Sequence, residues 1–284
     1  MLLPAVVLVL IYAYGPLVGM VMAFQNFQPL RGFFRSKFVG LDNFRYILQL
    51  PDFYNVLGNT LYISVYKLIL RIFVPLILAL TLNEIRVKWF AKATKSIIFL
   101  PYFLSWVVLG GVISELFYFG GPINHIVKMF GHEPIMFLAS NEWFPWIIIL
   151  TDVWKDMGYN MIIYLAAITA IDPTMYEAAE IDGAGIFQRM AHITLPNIMP
   201  IVVLLATLSL GNILNAGFDQ VQMLINPIVY ESGDIIDTLV YRIGIFNYQY
   251  SHAATIGLFK SLVSFTLVVI SYSVAYKAFD YRIF

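Results

Sequence analysis

Long apolar runs broken by short polar clusters dominate this chain. A helix needs about 20 mostly apolar residues to cross a hydrocarbon core. Six stretches qualify: roughly 2–24, 56–82, 97–118, 144–169, 197–217 and 254–278. Backbone groups in lipid must satisfy one another, so runs this long predict helices and not barrel strands. Pro16, Pro75 and Pro101 fall inside them, as membrane helices tolerate. The first run, "MLLPAVVLVLIYAYGPLVGMVMAF", has no basic start and no small-residue cleavage site. It reads as a first span and not as a signal peptide. The expected architecture is one all-α polytopic membrane domain over residues 1–284, with six spans.

Polar positions inside these runs are not scattered. Thr60, Ser64, Lys67 and Arg71 recur at helical spacing and form one stripe. Asp152, Lys155, Asp156, Tyr159 and Asn160 form a second, and Asn212 and Asn215 lie at the end of the fifth run. Ionisable groups at membrane depth are expensive and face a bundle interior or a wet cavity. Two readings stay open. In one the groups pair and hold the bundle together, Asp152 with Lys155 within one helix. In the other Lys67, Asp152, Lys155, Asn160, Asn212 and Asn215 line a pathway for a polar solute.

One stretch, "YEAAEIDGAGIFQRMAHITLP" (176–196), breaks the apolar pattern. Asp172-Pro173 offers a helix cap with proline at the first helical position. Thr174 and Glu177 have the spacing of a capping box. The pattern predicts a short helix with a small-residue patch at Ala178 and Ala179, stopped at Gly183 and Gly185. A second short amphipathic run, "IFQRMAHI", leads to Leu195 and Pro196. On these residues alone, an interfacial helix–turn–helix linker with Glu177 capping its own backbone is as good a reading as a docking element.

Composition sharpens the class. Of 284 residues 60% are hydrophobic and 12% charged, with a mean hydropathy of +0.79. Soluble domains carry about 25% charged residues. Net charge is zero, which gives no argument for nucleic acid. There is no cysteine, and the four histidines (His125, His132, His192, His252) form no HExxH pair, so no metal site is expected. No GxSxG elbow and no GxxxxGK[ST] loop is present, so neither a catalytic residue nor a nucleotide site is expected. Arg86, Lys88, Lys92 and Lys95 crowd a short loop beside two span ends, which favours termini, and with them residues 172–196, on the cytoplasmic side.

Glu177-Ala178-Ala179, three residues, Gly183, nine residues, then Ile193-x-Leu195-Pro196 resembles the EAA motif of ABC importer permeases at full spacing. "FVGLDNF", "NTLYISVYKLIL", "LPYFLSWVV" and "GNILNAGFDQVQMLINPIVYESGDIIDTLVYRIGI" extend the likeness to LplB-type permeases of the carbohydrate-uptake class over most of the chain. Such permeases usually have a cytoplasmic stretch before the first span, whereas this chain starts at the span itself. The resemblance implies a type I ABC importer subunit in a bacterial inner membrane that performs no bond chemistry. It implies a coupling helix at 172–196 that seats in an ATPase cleft through Glu177, Ala178, Ala179, Gly183, Ile193, Leu195 and Pro196. It implies a second homologous permease, a dimer of ATPase subunits that uses ATP and Mg, an extracytoplasmic solute-binding protein, and an oligo- or polysaccharide cargo, acidic glycans such as alginate included. Arg31, Arg35, Lys37 and Arg45 in the first external loop suit an anionic sugar, an acidic partner face, or plain solvation. The connection 226–252, which carries Glu231, Asp234 and Asp237, is expected to lie on the outer face as an amphipathic helix touching the binding protein. The competing class is an ion-coupled secondary transporter with Lys67, Asp152 and Asp156 as a relay. Its inverted repeat with discontinuous helices is not visible. A structural scaffold leaves the EAA spacing unexplained.

Overall fold

The computed structural model describes residues 2–85, 87–211 and 213–279. Its long elements are helices: α1 (Leu3–Phe24), α2 (Pro51–Asn83), α3 (Lys88–Phe99), α4 (Trp106–Phe117), α5 (Phe144–Thr169), α6 (Pro173–Ile181), α7 (Ile186–Leu210), α8 (Phe218–Leu224), α9 (Ile236–Tyr241) and α10 (Tyr250–Phe279). Strand pairing among the described residues is limited to Gln25–Asn26 against Lys37–Phe38, antiparallel. Five helical segments are long and apolar enough to cross a membrane: Leu3–Phe24, Pro51–Asn83, Trp106–Met129, Ile186–Leu210 and Tyr250–Ile270. The 26-residue α5 carries Asp152, Lys155 and Asp156 in its middle. Six spans are consistent with this set.

Helix limits differ from the apolar runs where backbone chemistry intervenes. The third run, 97–118, is interrupted: a 3-10 turn at Leu100–Phe103 contains Pro101, and Ser105 caps the restart at α4. Proline has no N–H to continue the ladder. The fifth run was expected over 197–217, but α7 begins at Ile186 and ends at Leu210. "IFQRMAHI" is therefore the first part of that helix and not a separate one. A π turn at Met190–Thr194 brings the chain to Pro196. Such a turn shifts the hydrogen-bond partners by one residue next to a position that cannot donate.

α2 and α5 run side by side in the same direction. Phe53 and Val56 at the start of α2 sit in one apolar cluster with Ile236, Leu239 and Ile256. Further along, Ile63 packs with Phe144, Ile147 and Ile148. At the far end Leu76, Ala79 and Leu82 pack with Met161, Leu165, Ile168 and Ile198. Residues 172–196 thus lie at one end of the bundle and the start of α10 at the other. Thr255 Oγ1 donates to the Ala23 carbonyl, which brings the C-terminal end of α1 to the second of these ends. Between the second and third apolar clusters lies a charged layer. At Gly158 the α5 backbone meets α3 so closely that a Cβ would stand 2.5 Å from the Ile98 carbonyl oxygen. Small residues permit this approach where lipid offers helices no hydrophobic drive to associate.

Candidate functional site

The charged layer joins three parts of the chain. Lys67 Nζ donates to Asp152 Oδ1 (3.1 Å), the Ala216 carbonyl (2.7 Å) and Gln220 Oε1 (2.6 Å). Arg71 Nε bonds Asp152 Oδ2 at 2.7 Å, and its Nη2 meets Asp156 Oδ2 at 2.7 Å. Gln220 Nε2 in turn donates to the Ile148 carbonyl and Thr151 Oγ1, each at 2.8 Å. Gly217 has φ +94°, and a Cβ there would stand 3.0 Å from Lys67 Nζ. A glycine therefore lets the turn before α8 close onto the ammonium.

The expected Asp152–Lys155 pair within α5 does not form. Both Asp152 oxygens are taken by α2. Lys155 Nζ instead donates to the Tyr102 carbonyl at 2.9 Å and lies over the Tyr102 and Trp106 rings, 5.3 and 5.7 Å from their centroids. The break between α3 and α4 leaves carbonyls without helical donors, and Lys155 fills one of them. A cavity of about 370 Å³ borders the charged layer, lined by Ser64, Lys67, Arg71, Ser209 and Asn215 among others. Ser64 Oγ is buried and has no hydrogen-bond partner among the described residues. Of the residues read as pathway, Lys67 and Asn215 line this cavity, and Asp152 stands directly behind Lys67. Lys155 and Asn160 do not line it, and Asn212 lies outside the described residues.

At the other candidate site, Asp172 alone caps α6, accepting from the Thr174 N–H at 2.9 Å. That bond, with a smaller one from the Thr174 side chain, holds the Asp172 carboxyl below the usual carboxylate range. The Thr174/Glu177 capping box is absent, because Thr174 is the second helical residue and not the cap. Gly183 has φ +79°. The Ala184 N–H reaches the Ala179 carbonyl and the Gly183 N–H reaches the Glu180 carbonyl, a Schellman ending. A Cβ at Gly183 would meet nothing within 4 Å in this chain. Tyr176 Oη with Thr194 Oγ1 (2.9 Å) and Arg189 with Glu180 (3.3 Å) tie α6 to α7. The helix is therefore braced on the one that continues into the bundle. Glu177 and Ala178 are exposed, Ala179 and Ile193 half-buried. Leu195 is half-buried at the root of α7 and Pro196 beside it is exposed. Outside the motif, Ile181 and Phe187 project 88% and 86% exposed beside the glycine turn, two large apolar residues flanking glycines in a charged stretch.

The connection 226–252 is not a surface-lying helix. Asp234 is 1% exposed, bonded to the Thr238 hydroxyl and to Arg242, and Asp237 is held by Lys260. Asn59 from α2 donates to the Glu231 and Asp234 carbonyls. The segment threads back into the bundle because these acids find partners there. Its charges gave the sequence the look of an exposed loop.

A multi-pass helical membrane protein that bears a braced, capped polar helix at one end of its bundle, with a polar cavity inside, has the build of a transport permease. The chain belongs to the family of binding-protein-dependent transport system inner membrane components, whose model matches residues 71–284. It has the type I ABC importer transmembrane fold. It is 41% identical over 278 residues to the polygalacturonan/rhamnogalacturonan transport system permease protein YteP of Bacillus subtilis (strain 168), covering 98% of this chain and 87% of that one. It is 39% identical over 284 residues to protein LplB of the same organism, covering 99% and 88%. Among solved structures, a bacterial ABC transporter involved in the import of the acidic polysaccharide alginate superposes with a TM-score of 0.91 at 35% identity, over 98% of this chain and 94% of that one. The same kind of transporter in complex with an alginate pentasaccharide-bound periplasmic protein gives 0.89 at 34% identity, over 98% and 93%.

Proposed function

We propose that this chain forms half of the translocation pathway of an ATP-driven importer for oligo- or polysaccharides, acidic glycans in particular. The likeness to permeases of polygalacturonan and alginate systems over nearly the whole chain carries this reading. The exposed Arg31, Arg35, Lys37 and Arg45, at the end opposite α6, agree with it, since a basic rim raises the local concentration of an anionic cargo. The partners are a second homologous permease, a dimer of ATPase subunits that holds ATP and Mg, and an extracytoplasmic solute-binding protein. The chain is one permease domain with its termini and α6 cytoplasmic.

The mechanism follows from the bracing. α6, with Glu177, Ala178, Ala179 and the Gly183 stop, seats on the ATPase. Ile193, Leu195 and Pro196 lie on the helix that receives its movement, because Tyr176 and Glu180 bond to Thr194 and Arg189 on α7. α7 in turn ends beside the cavity lined by Ser209 and Lys67. Closure of the ATPase dimer therefore reaches the cavity along one continuous helix. Asn215 contacts cargo there, and Lys67, its three donors spent on Asp152, Ala216 and Gln220, holds the wall of the cavity. Asp152 positions Lys67, and Lys155 holds the α5 side through the Tyr102 carbonyl. The test is the reconstituted transporter, assayed for ATP hydrolysis stimulated by loaded binding protein. Acidic oligosaccharides should stimulate hydrolysis and enter vesicles, and neutral ones of equal length should compete poorly. Equal handling of both sinks the acidic assignment. Hydrolysis indifferent to any saccharide sinks the importer reading.

A further inference from the structure

α3 is basic along one edge and carries no acid. Lys88, Lys92 and Lys95 recur at i, i+4 and i+7, so they stand one above another on the same side of the helix. Lys88 and Lys92 are exposed and Lys95 is half-buried. None of the three makes an ion pair among the described residues. Trp89 and Phe90 are 73% and 48% exposed, their rings 6.0 Å apart and edge to face. The helix begins just past the end of α2, at the end of the bundle that carries α6, and climbs to the level of Gly158 near the middle of α5. Along that climb the exposed side chains change from Lys88 and Lys92 to Ile97, Leu100, Phe103 and Val107. The other side of the helix is fixed, since Ile98 packs on the apolar cluster of Met161 and Leu165 and its carbonyl lies against Gly158. The lysines therefore stand on a rigid element and not on a loose loop.

Exposed charge at the bundle end, aromatic rings beside it and exposed aliphatic side chains further up follow the order of one leaflet: headgroup, interface, hydrocarbon. A helix with lysines on one edge and Trp and Phe on the next suits that headgroup boundary. Lys95 lies about 10 Å above Lys88 along the axis, at 1.5 Å per residue, and its apolar stem can carry the ammonium back toward the surface. An acidic protein surface would match the charges but not the apolar progression above them. We propose that this edge of α3 binds the phosphodiester headgroups of anionic phospholipids, in the leaflet at the α6 end of the bundle. Three ammonium groups with no carboxylate on their helix favour a headgroup of net negative charge over a zwitterionic one, whose own cation they repel. The inference goes beyond the importer reading and holds for any cargo.

The chain has no cysteine, so Ser96→Cys, exposed between the lysine edge and Trp89, provides one position for a fluorophore. The assembled transporter, with cysteine-free partner subunits, is placed in phosphatidylcholine vesicles that contain a quencher lipid with a nitroxide high on its acyl chain. That lipid is either phosphatidylglycerol or phosphatidylcholine. At equal content, the phosphatidylglycerol quencher should act about three-fold more strongly or better. The preference should vanish near 1 M salt, where the screening length is about 3 Å. The variant Lys88→Gln/Lys92→Gln/Lys95→Gln should bring the two quenchers level, and Lys88→Arg/Lys92→Arg/Lys95→Arg should keep them apart. Equal quenching with the lysines intact, or a preference that survives high salt or the glutamine variant, overturns the proposal. So does an absence of quenching by both lipids, which would mean that the ATPase or the second permease covers this edge. Neither ATP nor saccharide enters the measurement, so its outcome is separate from that of the importer reading.

Discussion

Replacing Lys67 by methionine tests the charged layer most directly. Methionine keeps much of the side-chain volume but removes an ammonium whose side chain is 5% exposed. Three acceptors lose their donor: Asp152 Oδ1, the Ala216 carbonyl and Gln220 Oε1. Were these ordinary interhelical hydrogen bonds, at about 0.6 kcal/mol each the loss would be about 2 kcal/mol. A buried charge left without its partner costs more, about 3–5 kcal/mol. Arg71 still holds Asp152 Oδ2 at 2.7 Å, so the carboxylate is only half orphaned and the lower part of that range, about 3 kcal/mol, is expected. Equilibrium unfolding in mixed micelles at several denaturing-detergent fractions measures it. The double variant Lys67→Met/Asp152→Leu should be more stable than Lys67→Met alone, because no lone carboxylate remains and Arg71 keeps Asp156 at 2.7 Å. A single-variant loss under 1 kcal/mol, or strict additivity in the double variant, would show that the layer is wet enough to solvate its own charges, and the buried-layer argument would fall.

Other outcomes follow from particular contacts. Gly158→Ala should lower stability by about 1–3 kcal/mol, since its Cβ would stand 2.6 Å from Phe99 Cα and only backbone can yield. Gly111→Ala, with nothing within 4 Å of its Cβ, is the control, and equal melting temperatures for the two would refute the close-crossing claim. Gly183→Leu should leave the protein inserted but impair ATPase copurification, through a backbone cost of roughly 1–2 kcal/mol at φ +79°. Gly183→Asn, which tolerates that conformation, should regain much of the coupling, and a failure to do so would point to a steric clash with the ATPase. Glu177→Lys should weaken copurification without changing the melting temperature, because Glu177 is exposed. The Asp172 cap should persist at neutral and mildly acidic pH and be lost as pH falls through its lowered pKa, the sign expected when the folded state favours the carboxylate. Hydrogen exchange of the first-turn amides of α6 that did not change across that range would contradict the capping geometry.

Runs of apolar residues are a local property, and they determined the helical membrane class without any contact being known. The EAA spacing is local too, and so were the Asp172-Pro173 start and the glycine stop that produce a Schellman ending at Gly183. Local chemistry also placed Lys67, Arg71, Asp152 and Asp156 on helical stripes. It did not decide which stripe faces which. Because α2 and α5 run in the same direction, Lys67 and Arg71 come level with Asp152 and Asp156, and the pairing is between helices. Lys155 looks a natural partner for Asp152 along the chain, yet it meets a carbonyl left open by a break in another helix. The acids of 226–252 marked that segment as surface because sequence cannot show that Arg242 and Lys260 lie within reach. The helix end at Leu210 was hidden for a related reason, whereas the break after Phe99 follows from Pro101, which the sequence shows. Hydropathy records the medium around a residue, and the end at Leu210 depends on partners such as Lys67 and Lys260, which reach the following turn only when the bundle closes.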